Sequence, residues 1–599
     1  MKKRRRRVHT GRKARQNKRI VILTGIVAAI ASLFVVAMIV WLFIGSNNGG
    51  AELAEESVNE ASVESETISG VVYVDESIVQ KITSDGQRVS KALSDRPATV
   101  EMTPENTAEF ANITSCNIVD STNVKVSVTS EGIPASDDKY YYLFEMATYE
   151  DGITDKEPID KIYKGDDTSF TVSLNKGSAS SKLFSKFAVA VKKDDQYVTI
   201  SHPKYITNPG ACAGYNYAGM SHDSIKGLLP YPLRLNELQD LGCEYAAYNI
   251  PLSHILVTSG GIEYSYGGVT YHFNAQIIND YDNLFKRLNS MGIDVAAIIL
   301  NNASTSAFPE ITHPDARSGS TAPYYMFNAT NESGVKALAA IGSFLANRYS
   351  GSGHGNVSMW IIANEVNARR EYNYMAKTDV GTYTTAFTRA FRVFYNAIKS
   401  QNAGAKVYIP IDQRWTYNTE KTGDYDAKDV IDIFSSSISE YGNIDWGLAA
   451  HPYSFPNENT AFWKASKYVN HTESTPCITM ENIEVLTNYM QKESMLDTNG
   501  NVRSIILSEI GYSSSSGEAV QAAAFAYAYT KMVKNGHIDA LMLSRQVDAP
   551  EEVAALGLAL GLETVGGNHK KIYNVFKYID TDRRDEVVSF AYDIVGKTF

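Results

Sequence analysis

The chain has 599 residues, of which 44% are hydrophobic and 21% charged, an ordinary globular composition with room for more than one domain. Eleven of its 56 Lys and Arg residues lie within residues 1–19, which leaves 45 basic against 67 acidic residues for the rest of the chain. A body with this excess of negative charge repels phosphate backbones, so we expect no nucleic-acid partner.

A basic tail and a long apolar run open the chain. Residues 20–44 carry no charge, and only the hydroxyls of Thr24 and Ser32 interrupt the run. At about 1.5 Å per residue, a helix of this length spans the ~30 Å hydrocarbon core of a bilayer. The run also exceeds the roughly 7–15 apolar residues of a cleaved signal peptide. The sequence predicts a transmembrane helix over residues 20–44 of a single-pass cell-membrane protein, with the tail, residues 1–19, cytoplasmic and the bulk extracellular.

Residues 45–208 precede the main α/β region. Residues 45–74 are small, polar and acidic without an apolar rhythm, which is typical of a disordered linker. Residues 75–208 alternate short β-like runs with turn clusters, which predicts a small β-sandwich-like domain. The clearest runs are residues 123–128, 140–147, 169–174 and 187–191. They hold no catalytic cluster, so we interpret this domain as a spacer or brace, with a carbohydrate-binding module as the alternative.

In residues 209–599, apolar strands alternate with amphipathic helices, the pattern of a parallel α/β architecture. The strand candidates are residues 225–229, 245–251, 294–300, 358–363, 406–411, 444–450, 503–508 and 538–543. The helical candidates are residues 233–241, 278–291, 335–348, 383–399, 427–439, 462–467 followed by 483–490, 517–534 and 569–578. This order predicts a (β/α)8 TIM barrel. The alternative is an open doubly wound sheet, which no Gly-x-Gly-x-x-Gly or P-loop sequence supports.

Two of the candidate strands end in a glutamate. Glu365 follows the fourth strand and Glu509 follows the seventh. Barrel active sites lie at the carboxyl ends of the strands, and glycoside hydrolysis needs two carboxyl groups flanking one bond. The plainer interpretation is a pair of salt-bridged residues on the barrel rim. Strands four and seven face each other across the mouth, however, so the pairing favours catalysis.

These motifs resemble clan A glycoside hydrolases, the cellulase-like retaining barrels. That clan has an Asn-Glu pair after strand four and a second Glu after strand seven, where this chain has Asn364-Glu365 and Glu509. The resemblance implies Glu365 as acid/base, Glu509 as nucleophile and Asn364 as a partner of the sugar 2-hydroxyl. The sixth strand ends in His451-Pro-Tyr453, similar to the clan's His-x-Tyr. That similarity implies Tyr453 as the residue that orients the nucleophile and His451 as part of the site wall.

Further candidates for substrate binding follow other strands. Trp415 lies after the fifth strand and Tyr512 after the seventh, and aromatic rings at such positions form sugar platforms or pack in the core. Asn301 begins a polar insertion, residues 301–331, that is expected to shape one wall of the cleft. The expected partner is a carbohydrate substrate, cleaved by a retaining double displacement.

The chain departs from the clan at two strand ends. The second strand ends in Asn249-Ile-Pro where the clan often has Arg-Ile-Pro, and the eighth continues as Ser544-Arg-Gln where the clan often has Trp. A non-catalytic, cell-surface carbohydrate-binding barrel is therefore the first alternative, and a structural or adhesive surface protein is the second. A metal hydrolase is the third.

No cofactor and no metal are expected from the sequence. None of the four cysteines forms a C-x-x-C motif, and no strand ends in His-x-His. Either a bridge between Cys212 and Cys243 or buried free thiols would account for the cysteines.

Overall fold

The computed structural model describes residues 99–103, 107–351, 353–418 and 423–599. The predicted tail, transmembrane helix and linker, and the start of the predicted β domain, lie outside the described residues. Within the described ranges, no helix has both the length and the apolar character needed to cross a membrane.

Two antiparallel sheets form the N-terminal part. The strands of this part are β1 (Thr99–Val100), β2 (Ala111–Ile118), β3 (Asn123–Ser130), β4 (Ile133–Pro134), β5 (Tyr140–Met146), β6 (Asp160–Tyr163), β7 (Asp167–Ser173), β8 (Lys186–Lys193), β9 (Gln196–Thr199) and β10 (Lys204–Tyr205). Strands β2, β3 and β7 form one sheet, and β10, β8, β5 and β6 form the other, with β9 paired to β8; β1 and β4 form a separate short parallel pair. Alternate side chains of both sheets meet in one hydrophobic core, the packing of a β-sandwich.

A closed barrel of eight parallel strands follows, as the sequence predicts. Its strands are β11 (Lys226–Leu228), β12 (Tyr245–Pro251), β16 (Asp294–Leu300), β17 (Met359–Ile362), β18 (Lys406–Asp412), β19 (Trp446–His451), β20 (Ile505–Ile510) and β21 (Ala540–Leu543), and β21 pairs with β11 to close it. The strands are apolar on both faces because each faces the barrel interior and the helices. In β16, for example, Ala296 and Ile298 point inward while Val295 and Ile299 pack outward.

Helices surround the barrel and alternate with its strands. They are α1 (Glu237–Asp240), α2 (Leu252–Ile255), α3 (Ala275–Ser290), α4 (Glu332–Arg348), α5 (Val380–Gln401), α6 (Ala427–Glu440), α7 (Ile483–Tyr489), α8 (Glu518–Asn535), α9 (Pro550–Leu556), α10 (Lys571–Tyr578) and α11 (Arg584–Val595). Side-chain caps start several of them: Asn274, Asn331 and Asp379 each accept a hydrogen bond from the first turn of the helix that follows.

Several details of the barrel region differ from the sequence-based expectation, among them the helices α2, α9 and α11, which the sequence did not predict. Residues 462–467, expected to be helical, form turns, and the helix expected over residues 233–241 is reduced to Glu237–Asp240 behind a 3-10 turn. A small sheet of β13 (Leu256–Val257), β14 (Ile262–Tyr266) and β15 (Val269–Phe273) is inserted after β12. All four cysteines are free thiols, so the bridge between Cys212 and Cys243 is not formed.

The sandwich packs directly against the barrel. The Lys176 ammonium donates to the carbonyls of Cys212 and Ser400, and the Asn396 amide donates to the carbonyl of Leu183. These contacts join the sandwich to helix α5, on the outside of the barrel and away from the strand ends that carry the glutamates.

Candidate active site

Glu365 lies on a tight turn that follows β17. Ala363 and Glu365 have φ values of 71° and 38°, in the left-handed region that costs a non-glycine residue about 1–3 kcal/mol. Backbone hydrogen bonds hold the turn on both sides: Ala363 N–H donates to Ile299, and Val366 N–H donates to Pro410. The neighbouring strands thus hold this turn in its conformation, in which the Glu365 carboxyl group contacts side chains of β19.

Glu509 reaches the same mouth through a bulge in β20. Leu507 pairs with β21 in regular register and Ile510 pairs again beyond the bulge, so Ser508 and Glu509 together oppose the single residue Met542. A bulge of this kind re-aims a side chain relative to strict alternation. Ser508 and Glu509 consequently both contact side chains of the sixth strand end, while Leu507 and Ile510 pack outward.

His451, the last residue of β19, links the two carboxyl groups. Its Nδ1 lies 2.9 Å from Glu365 Oε1 and 3.9 Å from Glu509 Oε2, and its Nε2 lies 2.9 Å from Ser508 Oγ. Both distances of 2.9 and 3.9 Å are measured from His451 Nδ1, so Glu365 Oε1 and Glu509 Oε2 are at most 6.8 Å apart. The two glutamates therefore face one small space.

Tyr453 contacts the second glutamate. Its hydroxyl donates a 2.8 Å hydrogen bond to Glu509 Oε1. Burial, together with the charge of Glu509, raises the pKa of Tyr453 well above its ordinary value, so the phenol keeps its proton and remains a donor. A hydrogen bond to the ionised form of a carboxyl group favours that form.

The two carboxyl groups have unequal environments. The Glu365 side chain is 11% exposed and that of Glu509 is 34% exposed. Burial raises the pKa of Glu365 to about 7; the hydrogen bond and charge of His451 oppose the rise, and the charges of Asp412 and Glu509 add to it. Burial alone would lower the pKa of His451, but the bond to Glu365 and the surrounding carboxylates raise it. Glu365 is thus fitted to hold a proton near neutrality.

A buried ion cluster beside Glu365 was missed by sequence reasoning. Asp412, the last residue of β18, accepts hydrogen bonds from the Asn367 amide and the Arg414 guanidinium. Arg414 also contacts Asp424 at 3.1 Å and Glu371 at 3.2 Å. The cluster joins the segments that follow β17 and β18. Asp412 stands at a strand end, and the rule that singled out the glutamates would have found it.

Tyr372 is a second neighbour that the sequence did not reveal. Its ring packs against the side chains that fill the barrel interior. Burial, and then the charges of Glu365, Glu371 and Glu509, raise the pKa of Tyr372 well above its ordinary value. The phenol therefore stays protonated close to both catalytic candidates. It lies on an irregular segment after β17, where no periodic signal marks it.

Three of the residues expected to bind substrate have packing roles instead. Trp415 is 1% exposed, with its indole N–H bonded to the Glu473 carbonyl, and Tyr512 is 2% exposed and stacked on Phe462. Neither ring offers a free face to a sugar, so the platform expectation is corrected for both. Asn301 is also buried; its amide donates to Thr312 Oγ1 and to the Met326 carbonyl and fixes the insertion that it begins.

Asn364 differs from these three. It is half-buried, and its side chain makes no hydrogen bond to another described residue. The amide beside Glu365 is therefore available to a ligand. Among the described residues, the one group of three ligand-type side chains within metal-binding range lies away from this pair, at Glu237, Glu563 and His569.

Comparison with known proteins gives one family match. The family described as "Family of unknown function (DUF5722)" matches residues 219–598, which is most of the barrel region. A search of curated proteins finds no match.

A search of solved structures finds several glycosidases, all at low identity and with TM-scores below 0.5. A family 39 glycoside hydrolase from Bacteroides cellulosilyticus is 13% identical, over 75% of this chain and 79% of that one, with a TM-score of 0.41. A β-glucosidase from Pyrococcus furiosus is 15% identical, over 60% and 86%, with a TM-score of 0.42. A β-glucuronidase from Bacteroides uniformis is 8% identical, over 78% and 49%, with a TM-score of 0.35. Likeness at this level does not specify an activity, which has to follow from the chemistry of the site.

Proposed function

The chain belongs to DUF5722, a family of unknown function, and we propose that it is a retaining glycoside hydrolase acting on an oligosaccharide or polysaccharide. Glu365 is the general acid/base and Glu509 is the nucleophile. The observation that carries the proposal is the pair of carboxyl groups at one barrel mouth, joined through His451 and unequal in burial.

The first half of the reaction uses both groups at once. Glu365, with a pKa of about 7, gives its proton to the leaving oxygen while Glu509 attacks the anomeric carbon. The Tyr453 hydroxyl holds Glu509 by one oxygen, which leaves its other oxygen for the sugar. The products of this step are a glycosyl ester on Glu509 and a free leaving group.

The second half returns the enzyme to its starting state. The charge of Glu509 contributes to the raised pKa of Glu365, and it disappears when the ester forms. The pKa of Glu365 then falls, so Glu365 can take a proton from water as the water attacks the ester. The Asn364 amide, which has no hydrogen-bond partner among the described residues, is suited to hold a sugar hydroxyl during both steps.

The spacing of the carboxyl groups is compatible with retention of configuration. Retaining enzymes separate the two groups by ~5–5.5 Å, whereas inverting enzymes separate them by ~6.5–9.5 Å to admit a water molecule. The upper limit of 6.8 Å applies to one oxygen of each group, Glu365 Oε1 and Glu509 Oε2, and is compatible with the retaining separation. Direct attack by Glu509 is the step that this spacing accommodates.

A panel of cyclophellitol-type probes with different sugar configurations tests the proposal. The expected result is covalent labelling of one carboxyl group, mapped by peptide mass spectrometry to Glu509 and absent from Glu509→Gln. Glu473→Gln is the matched control, because this exposed glutamate pairs only with Lys492 on the surface and should leave labelling intact. Labelling at another carboxyl group would overturn the assignment of Glu509 as the nucleophile. Glycan binding with no labelling by any probe and no hydrolysis of any substrate would support a carbohydrate-binding barrel instead.

We further propose that a membrane helix, residues 20–44, holds the barrel outside the cell. Support comes from the uncharged run of residues 20–44 and from the eleven basic residues that precede it. The test compares membrane fractions of cells that express the full chain or a chain lacking residues 1–44. Only the full chain should stay in the membrane fraction after carbonate extraction. In intact cells, an external protease should cleave the barrel of the full chain, followed by its probe label on Glu509. Equal release of both chains would contradict the anchor.

A further inference from the structure

Glu237, Glu563 and His569 converge at the end of the barrel that carries the two catalytic candidates. Each offers one ligand atom, and these atoms all lie within 4.8 Å of one another. Glu237 starts α1, after β11, and the other two lie between α9 and α10, after β21. Because β11 and β21 are paired neighbours in the barrel, the cluster joins the loops that follow the first and last strands.

The backbone fixes the two residues of the last loop. Glu563 forms an antiparallel bridge with His569 and a parallel bridge with Val547. Its N–H donates to the Gln546 carbonyl, and its carbonyl accepts from the Asp548 N–H. The position of Glu563 is thus set on both sides by main-chain hydrogen bonds, independently of any ligand.

The cluster contains more carboxyl groups than cations. The Arg234 guanidinium contacts Glu563 Oε2 and lies 3.5 Å from Glu237 Oε1, so one cation faces two carboxyl groups. Glu563 is fully buried, and its Oε1 has no hydrogen-bond partner among the described residues. A buried acceptor without a partner costs about 1–3 kcal/mol, and more when it is charged. Glu237 Oε2 accepts a 3.0 Å hydrogen bond from the neutral Gln546 amide.

The donor set is that of a transition-metal cation. Two carboxylates and an imidazole suit Zn²⁺ or Mn²⁺, whereas Ca²⁺ and Mg²⁺ prefer oxygen ligands alone. His569 is exposed, and its ring stacks on Tyr573 with centroids 3.5 Å apart and planes at 8°, which orients the imidazole. Around a tetrahedral Zn²⁺ with bonds of ~2.0–2.2 Å the ligand atoms lie about 3.3–3.6 Å apart, so atoms at the 4.8 Å limit have to approach each other by about 1.2–1.5 Å.

We propose that Glu237, Glu563 and His569 bind a divalent transition-metal cation, Zn²⁺ in the first instance, that ties the first and last loops of the barrel together. The segment that follows β21 also carries Arg545, which pairs with Glu552 of α9. The cation is a structural brace for the loop that follows β21, and it takes no part in the glycosidase chemistry.

Calorimetric titration with Zn²⁺ tests the site. The full chain is used in detergent, after any affinity tag has been removed and trace metal has been stripped by a chelator. The expected result with Zn²⁺ is one site per chain and a higher midpoint of thermal unfolding. His569→Ala and Glu237→Gln remove exposed or half-exposed ligands and should weaken binding at least ~10-fold. His471→Ala is the control, because this exposed histidine contacts only Glu484 and should leave binding unchanged.

Several results would overturn the proposal. One is the absence of Zn²⁺ binding by a folded chain, which would leave the two carboxyl groups to share a proton. Another is binding that survives both His569→Ala and Glu237→Gln. A third is tighter binding of Ca²⁺ or Mg²⁺ than of Zn²⁺. None of these readouts depends on glycosidase activity, so a failure here is separate from a failure of the proposed function.

Discussion

The Tyr453 hydroxyl donates a 2.8 Å hydrogen bond to Glu509 Oε1, across the ends of the sixth and seventh barrel strands. A hydrogen bond to a charged group contributes about 1.5–3 kcal/mol. Tyr453→Phe should therefore lower kcat about 10- to 100-fold without unfolding the barrel, measured on the substrate that the probe panel identifies. Tyr408→Phe is the control, because it removes a buried hydroxyl that bonds Ser504, away from the carboxyl pair. Equal losses in both variants would indicate a packing effect alone.

The raised pKa of Glu365 determines how kcat/KM depends on pH. Glu365 must carry a proton to assist the leaving group, and its pKa is about 7. The plot of kcat/KM against pH should therefore fall on its basic side through pH ~7, tenfold per pH unit. A plateau extending unchanged to pH 9 would show that another group supplies the proton.

His451 lowers the pKa of Glu365 relative to the value that burial alone would give. Its hydrogen bond and charge oppose the effect of burial on Glu365. His451→Leu fills a similar volume but removes both, so the pKa of Glu365 should rise and the basic side of the profile should move to higher pH. Kinetics at several pH values measure the displacement, and movement to lower pH would contradict the assigned role.

Substrates with different leaving groups distinguish the general acid from the nucleophile. General acid catalysis contributes about 10²- to 10⁴-fold, but only where the leaving oxygen needs a proton. Glu365→Gln should lose activity by that factor on alkyl glycosides and far less on dinitrophenyl glycosides. Glu509→Gln should lose activity on both. The reverse pattern would exchange the two roles.

The ion cluster at Arg414 stabilises the segments beside the site. Arg414 contacts three acidic side chains, and Asp412 and Asp424 are almost fully buried. Arg414→Met removes the cation that these carboxylates share, which should cost about 3–5 kcal/mol and lower the midpoint of thermal unfolding. Arg389→Met removes a surface pair with Asp151 and should cost no more than about 1 kcal/mol. Similar midpoints for the two variants would contradict this ranking.

Much of the fold follows from local pattern. Strands buried on both faces are apolar along their length, and the regular alternation with helices leaves few arrangements other than a parallel barrel. All eight strands lie where the sequence predicts them. The failures are local: residues 462–467 form turns, and the sheet of β13–β15 was not anticipated, because short segments are governed by tertiary packing rather than by periodicity.

The positions of the aromatic side chains show the limit of sequence reasoning at the site. Trp415 and Tyr512 follow strand ends, as sugar-binding aromatics do, yet both are buried. Its position after a strand places a residue at the barrel mouth, but it does not determine whether the side chain points into the mouth or towards the surrounding helices. Tyr372, on an irregular segment, does reach the neighbourhood of the carboxyl pair.

The sequence by itself determined the barrel and placed Glu365 and Glu509 after strands on opposite sides of its mouth, because apolar periodicity and strand order are local properties. Only the tertiary structure decided what these side chains contact. The bulge at Ser508 and Glu509, the left-handed turn at Glu365 and the burial that raises its pKa depend on neighbouring strands. The convergence of Glu237, Glu563 and His569 has the same origin, because ring closure by β11 and β21 brings together loops that are far apart in the chain.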